Sequence, residues 1–196
     1  MTNTNNSKKL ILGSKSPRRH QLLTEAGFNF EIRVLETDES FDPNMPSIEV
    51  AEHLALRKAE ALRSTLQMDE CLLTADSVVI VNDIIYNKPA DYDEAVLMLS
   101  QLSNRTHTVA TGVCLMTIEK TVTFTVTTNV RFDQINADEM DYYIKTHEPF
   151  DKAGGYGIQD WIGWCKVKKI EGSYSNVMGL PVREVYEKII NFSNIK

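Results

Sequence analysis

Apolar residues in this chain recur with two different periods, and each switch between them marks an element. Leu10-Ile11-Leu12 reads as a first strand, and helical spacing after Ser16 carries Leu22 and Leu23 to a stop at Gly27, placed for a left-handed C′ position. Phe30, Ile32 and Val34 alternate with Glu31 and Arg33, which predicts a strand with one buried face. A helix follows from Ser47 through Val50, Leu54, Ala55, Ala59 and Leu62. Residues 71–81 read as one long buried strand broken by Thr74-Ala75-Asp76-Ser77, with Asn82-Asp83 turning into Ile84-Ile85-Tyr86. Asp91-x-x-Glu94 caps a helix carrying Ala95, Leu99 and Leu102, closed at Asn104. Residues 109–118 and 122–132, rich in Thr, Val and Phe, predict an antiparallel pair joined at Glu119-Lys120. Asn136-x-x-Glu139 opens a further helix through Ile144, and 152–157 is a glycine-bearing loop. Residues 164–170 return to the sheet, and Pro181 starts a terminal helix. No repeat or linker divides the chain, so one α/β domain is expected over 1–196, with 1–9 a polar tail lacking an apolar leader.

Composition narrows the partners. The 196 residues are 42% hydrophobic with a net charge of −6, which supports a sizeable core and excludes a general nucleic-acid or anionic-membrane surface. No run is long enough for a membrane helix. Cys71, Cys114 and Cys165 are odd in number and sit in apolar or strand-like sequence, which fits packed, reduced thiols and a cytoplasmic compartment.

Two anomalies carry the chemistry. Ser16-Pro17-Arg18-Arg19 places two guanidinium groups at a helix start that already holds about +0.5 of an elementary charge. A bound anion relieves that conflict, and Gly13 and Ser14 let the preceding backbone come close, so the segment describes a phosphate site. Asp76 is the second, a carboxylate inside an apolar strand that requires a cation or water; capping a turn or pairing with a structural lysine would also satisfy it. Lys88, from the far arm of the hairpin, can approach the same sheet end. Asp38 and Glu39 add oxygen ligands from an acidic loop, enough with Asp76 to hold Mg²⁺ beside a polyphosphate. Lys58, at a helical position open to exposure, reads by itself as structural, Gln159 as a donor and acceptor suited to a base edge, His107 as structural, and Trp161 and Trp164 as packing or dimer-interface residues.

These pieces resemble a known family. The segments 12–19, Ala75-Asp76-Ser77-Val78-Val79, Lys88-Pro89, 102–113, 148–159 and 172–181 resemble those of Maf-type nucleoside triphosphate pyrophosphatases over nearly the whole chain. The resemblance implies an ITPase/Maf-like α/β fold, a long mixed, twisted sheet with flanking helices forming two lobes around a central cleft, commonly as a homodimer. It implies hydrolysis of a nucleoside triphosphate to the monophosphate and pyrophosphate with Mg²⁺ or Mn²⁺. Asp76 matches the proton acceptor, and Arg18, Ser77 and Gln159 match positions linked to substrate choice. Ser14, Arg19, Asp38, Lys58 and Lys88 match the phosphate and metal site, with Asp38 and Asp76 as metal ligands. The 151–159 block resembles the branch acting on dTTP and UTP. Gly13, Ser77 and Asn104 depart from a usual alanine, threonine and glycine. The competing expectation is a nucleotide-binding regulator of septum formation without catalysis.

Overall fold

The computed structural model describes residues 8–193; residues 1–7 of the expected tail lie outside the described residues, and Lys9 already belongs to the first strand. The elements are β1 (Lys9–Leu12), α1 (Pro17–Glu25), β2 (Phe30–Ile32), α2 (Ser47–Leu62), β3 (Glu70–Val81), β4 (Ile84–Tyr86), α3 (Tyr92–Leu102), β5 (Thr106–Met116), β6 (Thr121–Phe132), α4 (Ala137–His147), α5 (Trp161–Lys166), β7 (Val167–Glu171), α6 (Tyr174–Met178) and α7 (Val182–Ser193). They build a mixed sheet in the order β2-β1-β3-β5-β6-β7, with β4 folded back onto the end of β3. β1 pairs parallel with β2 and β3, and the other pairings are antiparallel. Asn82 and Asp83 both take positive φ, 49° and 63°, as a two-residue hairpin with the twist of its strands requires.

Alternation along β3 divides its side chains between two layers. Leu72, Thr74, Asp76 and Val78 face α2, whereas Cys71, Leu73, Ala75 and Val79 enter the larger core built with α1, α3, α4 and α7. Helix α2 lies on its face through Ala51, Leu54, Ala55, Ala59 and Leu62. Its close approach depends on Gly112 of β5, where a Cβ would stand 2.1 Å from the Glu52 nitrogen. Gly112 is also the register partner of Asp76, so the helix presses on the sheet beside that carboxylate.

Several expectations change here. The 74–77 tetrad does not break the strand, because β5 supplies a continuous ladder from Leu72↔Met116 to Ile80↔Thr108 and Thr74 donates to the Ala55 carbonyl at 2.7 Å. The polar residues instead mark a gap along the other edge. β1 ends its pairing at Leu12↔Leu73 and β4 begins at Val79↔Tyr86, so among the described residues no strand covers β3 between them. β2 stops at Ile32, which is 53% exposed, so the expected buried face is lost at this edge. Trp164 lies in α5 rather than in the sheet and is 78% exposed, and α6 had no counterpart in the periodicity. Cys165 is exposed rather than packed, while Cys71 and Cys114 are buried and burial pushes each thiol up to about 12. Among the described residues no helix is long and apolar enough to cross a membrane.

Gly112→Ala drives a methyl group into the α2 backbone and is expected to destabilise the protein by about 3 kcal/mol. Gly27→Ala, where φ is +81° but the added methyl meets nothing, costs only about 1 kcal/mol. Urea denaturation of the two variants checks the order; equal costs would mean that α2 can lift from the sheet freely.

Candidate active site

The turn from β1 into α1 is pinned from three sides. Gly13 donates to the Leu73 carbonyl at 2.8 Å, and a side chain there would meet the Thr74 methyl at 2.6 Å. Ser14 accepts from the Ser16 amide and Arg19 Nη1, both at 3.2 Å, while its carbonyl contacts His20 Nε2 at 2.7 Å. Ser16 occupies the N-cap position yet makes no side-chain cap, Pro17 follows it, and the first turn holds no acid. The hydroxyl that orders this helix start is therefore that of Ser14, and α1 keeps uncapped amides beside two arginines, an arrangement that attracts an anion.

Arg19 bridges three segments: Nε donates to the Gly179 carbonyl at 2.8 Å, Nη1 to Ser14 and Nη2 to Ser77 Oγ at 3.2 Å. Burial lowers its pKa from the usual arginine value, opposed by the nearby negative charge of Asp76. Asp76 and Ser77 are successive residues on opposite faces of β3, and both open into the uncovered stretch between β1 and β4. Lys58 reaches Asp76 from α2 and also binds Glu39 at 2.8 Å. Its position continues the stripe of Ala51, Leu54, Ala55 and Leu62, leaving its side chain 18% accessible. Lys58's hydrogen bond holds the Glu39 carboxyl below the usual carboxylate range, against the opposing effect of burial.

A cleft of about 790 Å³ joins these groups. Ser14, Arg18, Arg19, Lys58, Asp76, Ser77, Lys88 and Gln159 all line it. Asp38 does not: its carboxylate is held outside by Ser40 and by Arg57 at 3.2 Å, and the neighbouring Glu39 takes the inward position. Among the described residues no cluster of three or more metal-ligating side chains exists. The Glu39 and Asp76 carboxylates nevertheless already share one cation, the Lys58 ammonium, so this donor pair suits a hard divalent ion completed by phosphate oxygens.

The opposite wall is the 149–160 segment. Arg18 pairs with Asp151 at 2.8 Å, and Lys152 binds the same carboxylate at 2.7 Å. Gly154 at φ +70° lies against Val79, where a side chain would meet the valine at 2.9 Å, and its amide donates to the Asn87 carbonyl. Tyr156 anchors the wall by contacting His107 Nε2 at 2.7 Å and packing edge-on against Phe132. Tyr143 accepts from the Gly157 amide and donates to Asp160. Among the described residues the Gln159 Oε1 is buried in this wall without a partner, an acceptor free for a ligand. Glu39 was expected only as one oxygen ligand of the acidic loop beside Asp38; Asp151 and the Gly179 carbonyl were not among the expected site residues, and the 148–159 and 172–181 blocks were their only signals.

Residues 9–192 match the family model described as Maf-like protein. A dTTP/UTP pyrophosphatase of Parabacteroides distasonis is 45% identical over 185 residues, covering 94% of this chain and 96% of that one. The dTTP/UTP pyrophosphatase of Phocaeicola vulgatus is 43% identical over 182 residues, covering 92% and 94%. Among solved structures, a nucleoside-triphosphatase / dITP/XTP pyrophosphatase from Mycobacterium abscessus aligns with a TM-score of 0.47 at 16% identity, covering 96% of this chain and 100% of that chain.

Burial holds the His107 pKa down to about 4 from the ordinary 6.5, so the folded protein keeps this ring neutral where the unfolded chain protonates it. The stability it preserves is complete above pH 6.5 and is lost as the pH falls through 4, an acid penalty of about 2 to 3 kcal/mol by pH 4.5. His107→Gln, which can still bond Tyr156, is expected to shrink the difference between urea midpoints at pH 7.5 and pH 4.5. An unchanged difference would show that another group sets the acid sensitivity.

Proposed function

Because the chain belongs to the Maf-like protein family, we propose that it hydrolyses nucleoside triphosphates, dTTP and UTP foremost and modified pyrimidine nucleotides with them, to the monophosphate and pyrophosphate. The observation that carries this reading is one carboxylate, Asp76, set in mid-strand within the same cleft as the cationic start of α1. Arg18, Arg19 and the uncapped amides of α1 hold the triphosphate tail, before and during attack. Asp76 takes the proton of the water that attacks the α-phosphate, and Lys58 keeps that carboxylate aligned. Lys58 and Lys88 offset charge on the departing pyrophosphate. Ser77 and the unpartnered Gln159 Oε1 meet the nucleoside.

A divalent cation, Mg²⁺ or Mn²⁺, is held by Asp76 and Glu39 in this reading, and when bound it supplies Lewis-acid polarisation of phosphate oxygens. Glu39 replaces Asp38 in that role because only Glu39 faces the cleft. The proposal extends to one catalytic domain acting as a cytoplasmic homodimer, supported by the unbridged cysteines and the 78% exposed Trp164. A nucleotide-binding regulator without catalysis is not favoured, because the relatives matched over more than nine-tenths of the chain are named as pyrophosphatases.

Asp76→Asn is expected to fold and bind nucleotide but to lose at least about a hundredfold in turnover, since the amide cannot accept the proton. Pyrophosphate release from a panel of dTTP, UTP, CTP and GTP with Mg²⁺ or Mn²⁺ checks this; unchanged turnover removes Asp76 from the mechanism, and release from no nucleotide removes the activity. Glu39→Gln is expected to raise the Mg²⁺ concentration for half-maximal rate about tenfold, whereas Asp38→Asn leaves it unchanged. The reverse order would return the metal site to Asp38.

A further inference from the structure

Hydrogen-bond donor accounting fixes the direction of a polar chain that runs from the cleft into the sheet. Thr111 of β5 is fully buried and does not line the cleft. Its hydroxyl has one hydrogen and two partners: the Asn176 carbonyl at 3.1 Å, which can only accept, and Ser77 Oγ at 2.9 Å. Thr111 therefore donates to Asn176 and accepts from Ser77. Ser77 in turn has its hydrogen committed, and its distance of 3.5 Å to the Gly179 carbonyl is too long to compete. A lone pair of Ser77 is thereby presented to Arg19 Nη2.

The other leg of the guanidinium ends on the same turn. Arg19 Nε donates to Gly179, the residue that closes α6 at φ +113°, and Asn176 lies within α6. Asn176 is itself locked by Nδ2 donating to the Val109 carbonyl at 3.2 Å and to Thr128 Oγ1 at 3.0 Å. Arg19, Ser77, Thr111 and the α6 turn thus form a closed ring. Of the five guanidinium N–H groups, three are spent on Gly179, Ser14 and Ser77, which leaves two for an anion.

We infer that Thr111 is a positioning residue for the phosphate grip: by orienting the Ser77 hydroxyl it sets the rotamer of Arg19 and hence the direction of its two remaining N–H groups. This rests on the reading that Arg19 holds a polyphosphate. Thr111→Val keeps the shape and removes only the hydroxyl, which frees Ser77 to turn its hydrogen toward Gly179 and away from the arrangement that accepts from Arg19.

The test measures UTP hydrolysis and, separately, calorimetric binding of inorganic tripolyphosphate. Thr111→Val is expected to raise KM and the tripolyphosphate dissociation constant about tenfold, the worth of one misdirected hydrogen bond to a charged group, with kcat within about twofold. Thr111→Ser restores the wild-type values. Ser77→Ala gives a similar loss, and the double variant loses no more than Ser77→Ala alone. Unchanged KM and dissociation constant in Thr111→Val, failure of Thr111→Ser to restore them, or additive losses in the double variant each overturn the inference. Thr111→Ala provides a second hydroxyl-free variant; if both it and Thr111→Val unfold while Thr111→Ser folds, Thr111 merely satisfies the core and the positioning role falls. A wild-type protein that binds tripolyphosphate but hydrolyses no nucleotide defeats the proposed activity alone, because the binding arm still reads the ring. No tripolyphosphate binding by the wild type defeats both.

Discussion

A carboxylate in the middle of a sheet is the constraint around which this protein is arranged. Asp76 has β5 on one side of its strand and, among the described residues, no strand on the other, and its charge is answered by Lys58 from a helix pressed against the sheet at Gly112. Taking an unpaired carboxylate out of water costs far more than any single packing contact returns, so the lysine, the glycine and the missing strand belong together. The gap between β1 and β4 that admits the carboxylate to the cleft is the same gap that exposes Ser77 on the opposite face. Two successive residues of one strand thereby reach a single cleft from opposite faces.

Rigidity in the cleft comes from polar groups whose partners are accounted for. The arginine fork of Arg19 touches the β1 turn, β3 and the end of α6, and the 149–160 wall is tied down by Tyr156 on His107 and Tyr143 on Gly157. Groups held this way need little reorganisation when an anion arrives, which is where electrostatic catalysis draws its strength. Of the buried acceptors left without a partner among the described residues, Gln159 Oε1 is the one in a residue lining the cleft, in the wall where a nucleoside would sit.

Much of this was legible from local pattern. Helix α2 follows its apolar spacing residue for residue, the Asn136 and Glu139 capping box opens α4, and Asn82-Asp83 makes its turn. The cationic start of α1 announced itself by an electrostatic conflict, and Asp76 by its apolar neighbours. Where local reading failed, a distant element had supplied what it assumed missing. β3 runs unbroken through a polar tetrad because β5 furnishes the ladder.

The amino-acid sequence by itself determined the α/β order of elements apart from the short helices α5 and α6, the cationic helix start and the strand-borne carboxylate, because each follows from periodicity or charge within a few residues. Tertiary structure decided which acid faces the cleft, Glu39 rather than Asp38, since two adjacent side chains on one loop are told apart only by the lysine and arginine that α2 offers them. It decided as well that Thr111, Asn176 and Gly179 act on Arg19, residues separated from it by as many as 160 positions and joined to it only once the sheet has formed.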